Sequence, residues 1–300
     1  MLTRVQSLRG RSARRVFAAI FCAVGFLWSA GAAAHDALQD QIAALTREIA
    51  ADPDNARLYL RRGELHRLDR ELPAALADYS RARRLDPGLA AVDLGAGRAF
   101  LEANRPGEAK SSLERFVRAR PHDAEGRLEL ARALVGLGSR SAADAHYARA
   151  IALAPDLRPD VYFERAKSLR AAGRLSAAIQ ALDEGIARLG PLASLEELAL
   201  EVELARKNYD GALARLDRIF PPTARQETRL ARRGEILAAA GRRIEARETF
   251  RRAQRSIEAL PSRLRQTRAI QRLEGRVRSS LESLRVAGPD MTKEKTDAKS

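Results

Sequence analysis

The residues of this 300-residue chain that could do chemistry are few: four His (His35, His66, His122, His146), one Cys, and 39 Asp and Glu spread evenly. No H-E-x-x-H sets two imidazoles on one helical face, and no G-x-x-x-x-G-K cradles a phosphate. There is also no G-x-S-x-G to present a nucleophile and no dinucleotide fingerprint. Among the carboxylates no pair stands out as an acid and a base. His122, beside Pro121, reads as a solvated loop residue, and His146, beside Tyr147, has no ligand partner in the sequence. A single cysteine excludes a disulfide framework and a Cys-based zinc site. The expectation is a non-catalytic chain with no metal, no cofactor and no small-molecule substrate.

What remains is charge. Lys and Arg number 54 against 39 acids, a net charge of +15. At 45% hydrophobic and 31% charged the chain is neither disordered nor a polytopic membrane protein. Aromatics at 5% and two Met imply a core of Ala and Leu, the residues of closely packed helices. Nucleic-acid binding would need basic side chains gathered with stacking aromatics or a reading helix. No aromatic residues interleave with the basic runs, so no nucleic acid is expected.

The elements that position these charges begin with a targeting segment over 1–34. Arg4, Arg9, Arg11, Arg14 and Arg15 precede an apolar run from Val16 to Leu27, and Ala32-Ala33-Ala34 offers a small-residue cleavage site. That order is the signature of a secretory signal. Arg14-Arg15-Val16-Phe17 looks like a twin-arginine motif, with Ala13 where that motif prefers a polar residue. The alternative is an uncleaved anchor, because Val16 to Ala34 could nearly span a bilayer. Cys22 lies in the apolar run and would leave with the signal, which suits an oxidising compartment. The expected location is exported, in the periplasm of a bacterial envelope.

Next comes a repeat. Pro53, Pro87, Pro121 and Pro155 are 34 residues apart, and Ala75, Ala109, Ala143, Ala178, Ala212 and Ala246 keep nearly the same period. Twelve residues before each alanine stand Gly63, Gly97, Ala131, Ala166, Leu200 and Gly234. Such a period marks a solenoid of identical supersecondary units. Residues 56–66 place apolar groups at helical spacing, and the small residue at the eighth position lets a second helix approach closely. Pro73 suits the first turn of that second helix, and Asp86-Pro87 closes the unit. Gly138, Gly173 and Gly241 fall between paired helices, where a turn needs positive φ.

This pattern resembles the tetratricopeptide repeat family over roughly residues 56–260, with six units beginning near Ala56, Ala90, Ala124, Pro159, Ala193 and Glu227. The resemblance implies an all-α, right-handed superhelical solenoid of antiparallel helix pairs. His66 occupies a position that the family often fills with Tyr, so it reads as a half-core residue. Repeat 5 departs most, with Leu200 for the small residue and Glu203 for an apolar one, either a bend or a drifted sequence. Residues 35–55 hold an N-terminal capping helix. Residues 261–285 form a basic amphipathic capping helix with Leu264, Ile270, Leu273, Val277, Leu281 and Leu284 on one face, and 286–300 a disordered tail.

The resemblance also implies a concave groove lined by the first helices. Carried over by position, repeats 2 to 4 present Leu94, Arg98, Leu101, Leu128, Arg132, Val135, Phe163, Lys167 and Arg170. The basic ladder Arg98, Arg132, Lys167 beside an apolar strip is loosely similar to a carboxylate clamp without its asparagines. Glu197, Glu201 and Glu235 take matching positions further on. The expected function is an interaction scaffold or assembly factor of the cell envelope, holding a protein or peptide segment with acidic and apolar groups. The alternative is a membrane-anchored or membrane-surface component of a secretion or polysaccharide-export machine. It would rest on the Arg-rich helix 261–285 meeting anionic lipid.

Overall fold

A computed structural model describes residues 35–154, 158–220 and 226–286. The expected export segment 1–34 and the expected tail beyond 286 lie outside the described residues. The chain divides into two compact units, Met1–Gly138 and Ser139–Ser300. Among the described residues there are helices and no strands, and consecutive helices pair antiparallel in the manner of tetratricopeptide solenoids.

The first unit holds α1 (residues 35–51), α2 (Ala56–Leu68), α3 (Leu72–Leu85), α4 (Ala90–Glu102), α5 (Pro106–Ala119) and α6 (Ala124–Gly136). Its core forms where small residues admit neighbours. Ala75 and Ala109 are fully buried. A Cβ added to Gly63 would lie 2.9 Å from the Tyr79 ring, and one on Gly97 2.5 Å from Leu113. Ile42, Leu45 and Ile49 bury one face of α1.

The second unit holds α7 (Arg140–Leu153), α8 (Pro159–Ala171), α9 (Leu175–Leu189), α10 (Ala193–Ala205), α11 (Tyr209–Ile219), α12 (Gln226–Ala239), α13 (Arg243–Glu258), α14 (Ser262–Arg265) and α15 (Arg268–Val286). The alanine ladder continues fully buried at Ala143, Ala178, Ala212 and Ala246. In repeat 5 the larger Leu200 is fully buried against Ala212 and Leu216. Glu203 is buried too, accepting from Asn208 Nδ2 at 2.9 Å, while the Asn208 Oδ1 caps α11. A polar network thus fills the expected apolar position, and α10 runs through it unbroken.

The expected glycine turns are present, with φ of 75° at Gly138, 73° at Gly173 and 76° at Gly241. The in-phase positions of the other repeats adopt the same conformation with Arg70 (66°), Asn104 (55°) and Lys207 (60°). The turn is imposed by the helix end: Glu71 N donates to His66 O at 2.8 Å and Arg105 N to Phe100 O at 2.8 Å, bonds that need one left-handed residue.

The C-terminal segment differs from the single helix expected after Pro261. It breaks at residues 266–267 into α14 and α15, and Leu264 is 48% exposed rather than on the packed face. Thr267 causes the break: its hydroxyl donates to Leu264 O at 2.7 Å and accepts from Ile270 N, which starts α15. Leu273 and Val277 bury α15 in the cluster with Leu237, Phe250 and Ile257, with Ile270, Leu281 and Leu284 packed against it. The apolar face that lipid would take is therefore engaged by α15's own unit, and its arginines stand outside it.

Candidate interaction face

The first helices carry all nine residues of the expected groove. In the first unit Leu94, Leu101 and Val135 are half-buried, whereas Leu128 is core at 6% exposure. Arg98 and Arg132 are not free cations. The Arg98 guanidinium meets Glu125 and also lies 3.6 Å from Glu129, and Arg132 reaches the same Glu129 oxygen at 3.2 Å. Two rungs of the basic ladder are thereby neutralised by carboxylates of α6. The Arg132–Glu129 pair is local, three residues apart on α6, whereas pairing Arg98 with glutamates 27 and 31 residues on takes the stacking of consecutive repeats.

The first unit has a cleft of about 560 Å³ between α1, α2 and α4. Of the expected residues only Leu94 and Arg98 line it. Its apolar floor is Ala44, Leu45, Leu60, Leu65 and Leu94, and Gln41, Glu48, Arg61 and Glu64 add the polar rim. Gly95 allows the walls to close in: a Cβ there would lie 2.5 Å from Glu64 Oε1 and 2.8 Å from the Tyr79 ring. Beside the cleft Arg67 bonds Glu64 at 3.0 Å and Glu102 at 2.6 Å. Burial opposes its charge, but these two carboxylates outweigh burial and raise its pKa above the ordinary arginine value. Arg62 is likewise raised by its bond to Asp78. Arg62 and Arg67 are thus fixed positive charges beside the cleft.

A sequence signal for α1 as a wall existed. Leu38, Ile42 and Asp52-Pro53 stand 34 residues before Leu72, Leu76 and Asp86-Pro87, which puts α1 in phase with the repeats. A second cleft in this unit, of about 520 Å³ between α3, α4 and α5, is closed upon its own charges. There Asp93 binds Arg115 at 2.7 Å and Arg83 at 3.4 Å.

In the second unit Phe163, Lys167 and Arg170 share α8. The Lys167 ammonium stands 5.4 Å over the Phe163 ring, and Arg170 binds Glu201 of α10 at 2.5 Å. A smaller cleft of about 410 Å³ is lined by Leu204, Arg232, Glu235, Ile236 and Arg276. Its rim ions again meet each other, Arg276 lying 3.6 Å from Glu235. A buried network at repeat 5 joins Glu196 to Arg215 at 3.2 Å and Arg218 at 2.6 Å, with Arg215 also on Asp183.

Half-buried His66 donates from Nδ1 to the Glu71 carboxylate at 2.6 Å, and His122 is exposed. Among the described residues no three His, Cys, Asp or Glu side chains gather as metal ligands. No helix among them is long and apolar enough to cross a membrane.

The chain is similar in fold to several solved proteins. One is YrrB, described as a TPR protein with an unusual peptide-binding site, at 26% identity and a TM-score of 0.52 over 60% of this chain and 94% of that one. MamA matches at 21% identity and a TM-score of 0.52 over 56% of this chain and 91% of that one. A tetratricopeptide repeat protein from Parabacteroides merdae matches at 14% and 0.50, over 80% and 92%. No curated protein matches the sequence. The tetratricopeptide repeat family model matches residues 32–90, 94–158 and 128–194. With this match and the paired helices, the chain belongs to the tetratricopeptide repeat family, whose members are protein-interaction scaffolds that bind protein or peptide partners.

Proposed function

We propose that the protein holds a segment of a partner protein in the cleft between α1, α2 and α4. The observation that carries this reading is the cleft's make-up, an apolar floor of Leu45, Leu60, Leu65 and Leu94 within a rim of both charges. Such a floor offers transfer of apolar surface from water, and a rim of both signs selects orientation. The peptide-binding description of YrrB points the same way. A partner of purely acidic character is less favoured, because Arg98 and Arg132 already have carboxylate partners. The Arg-rich start, the apolar run and Ala32-Ala33-Ala34 support a setting outside the cytoplasm, in the cell envelope.

A peptide array tests the binding. Purified protein is incubated with arrayed peptides of mixed composition, beside a Leu94→Arg variant of equal helicity and melting temperature. Capture by the wild type and at least tenfold weaker capture by the variant is the expected result. Equal capture by both would sink the cleft as the site. For the export half, N-terminal sequencing of the cell-derived protein should begin at His35, and an intact Met1 in the cytosolic fraction would overturn it.

A further inference from the structure

The repeat phase says what is missing beside α1. Helices α3 and α5 end at Leu85 and Ala119, and α1 ends 34 residues before the first of these, at residue 51. Gln41, Leu45 and Glu48 stand in phase with Ala75, Tyr79 and Ala82. In α3 those three side chains are at most 1% exposed, because α3 turns them onto the helices packed against it. In α1 Leu45 is buried but Gln41 and Glu48 are exposed, and with Ala44 all of them line the cleft. Helix α1 therefore stands as the second helix of a pair whose first helix is not among the described residues, and the cleft lies along the face that no described helix covers.

The left-handed turn of the later pairs is not found at its in-phase place before α1. In the later pairs a left-handed residue, Arg70 in the first, turns one helix into the next. The in-phase position is Asp36, which lies within α1, and residues 35–37 are already helical. The uncovered positions are also polar where the other second helices chiefly carry alanine. Gln41 and Glu48 suit a face that is wet when free and covered when bound, which a permanently closed pair is not.

We propose that the cleft seats one amphipathic α-helix donated by another protein, completing the pair that α1 begins. This deepens the reading of the cleft as the partner site and rests on it. The first helices α2, α4 and α6 are each 13 residues long, which sets the occupant at three to four turns. It carries a small residue where α2 and α4 have Gly63 and Gly97, and an apolar stripe for Leu45, Leu60 and Leu94. The side chains of Glu48 and Arg61 are exposed, and among the described residues neither has an ion-pair partner. They call for a basic and an acidic residue on the occupant's flanks.

The test uses a probe taken from the repeat itself, a fluorescent peptide copying Ala90–Glu102 and held helical by a side-chain lactam. A copy with a central proline serves as the non-helical control. Fluorescence polarisation is measured on the full chain, on Ala44→Arg, and on Ala91→Arg at an exposed position of the same cleft, each checked for helicity. The proposal expects saturable binding of the helical peptide, at least tenfold weaker binding of the proline copy, and at least tenfold loss in either variant. If extended array peptides bind and Leu94→Arg blocks them while the helical probe does not bind, the helix seat is overturned and the partner cleft stands. If neither kind binds, both fall. If sedimentation shows a dimer that Ala44→Arg disperses, the occupant is a second copy of this chain, which overturns the foreign helix.

Discussion

The two ends of the repeat array are finished in different ways. At the C-terminal end α15 closes the last pair with Leu273 and Val277 at 4% and 2% exposure, and its arginines stay outside. At the other end α1 is also anchored by buried Ile42 and Ile49, but the side that carries Gln41, Ala44, Leu45 and Glu48 borders an open cleft. Both are terminal helices with one apolar stripe. The difference is whether the stripe uses up the helix's packing capacity: a solenoid must cover its last core layer, and any face beyond that requirement is free for a partner. The closed end stabilises; the open end is the proposed seat of the partner.

The largest effect that would break this comparison is a cavity at each end. Leu273→Ala should cost about 2–4 kcal/mol, as for other fully enclosed leucines, and Leu45→Ala about half that, because its cleft lets water and side chains fill the space. Urea denaturation followed by hydrogen exchange in each unit reads both, and equal losses would mean that the α1 end is as closed as the other.

Glycines sharpen it next. Gly95→Ala drives a Cβ toward Glu64 and Tyr79 and should cost about 1–3 kcal/mol while deforming the cleft floor. Gly275→Ala, with nothing within 4 Å in α15, should gain about 0.5–1 kcal/mol from helix propensity. The two melting temperatures should move in opposite directions.

The turn ladder predicts smaller changes of common sign in both units. Arg70→Gly and Lys207→Gly should each stabilise by about 1 kcal/mol, since a side chain in the left-handed region carries roughly that strain. Gly138→Ala should lose about as much by the same measurement.

Smallest is a pH effect confined to the open end. His35 Nδ1 lies 2.7 Å from Asp69 and Gln39 donates to the same carboxyl, tying the start of α1 to the end of α2. The hydrogen bond and charge of Asp69 raise the His35 pKa above 6.5, and the bond to His35 lowers that of Asp69 below 3.8. A raised histidine contributes fully below its unfolded value and loses that contribution as pH rises through the folded one. A lowered carboxyl contributes above its unfolded value and loses it as pH falls through the folded one. The tie is therefore complete between about pH 4 and 6.5. Amide exchange in residues 38–42, corrected for intrinsic rate, should be slowest in that window, with α15 unchanged; Asp69→Asn should flatten the profile.

Much of this was legible without coordinates. The helix pairs follow from the alanine and glycine ladders, because close approach of two backbones admits no larger side chain at those points, and the demand repeats with the fold. Repeat 5 shows the limit of that reading. Leu200 and Glu203 break the pattern locally, and only the packing of α10 shows one accommodated as core and the other satisfied by Asn208. The positive φ at Arg70 and Lys207 was hidden for a related reason. Hydrogen bonds at a helix end can hold a residue in a conformation that its side chain disfavours.

The period, the pairing of helices and the family are all carried in the linear order of residues, since each is set by contacts close along the chain or repeated many times. Tertiary structure decided the site. Arg98 read as a rung of a free basic ladder until Glu125 and Glu129, 27 and 31 residues on, stood beside it. The cleft formed where no described helix covers α1, with two helices between it and the one that carries Leu94. Charge pairing and empty space depend on neighbours brought together by stacking, and a linear pattern does not carry those distances.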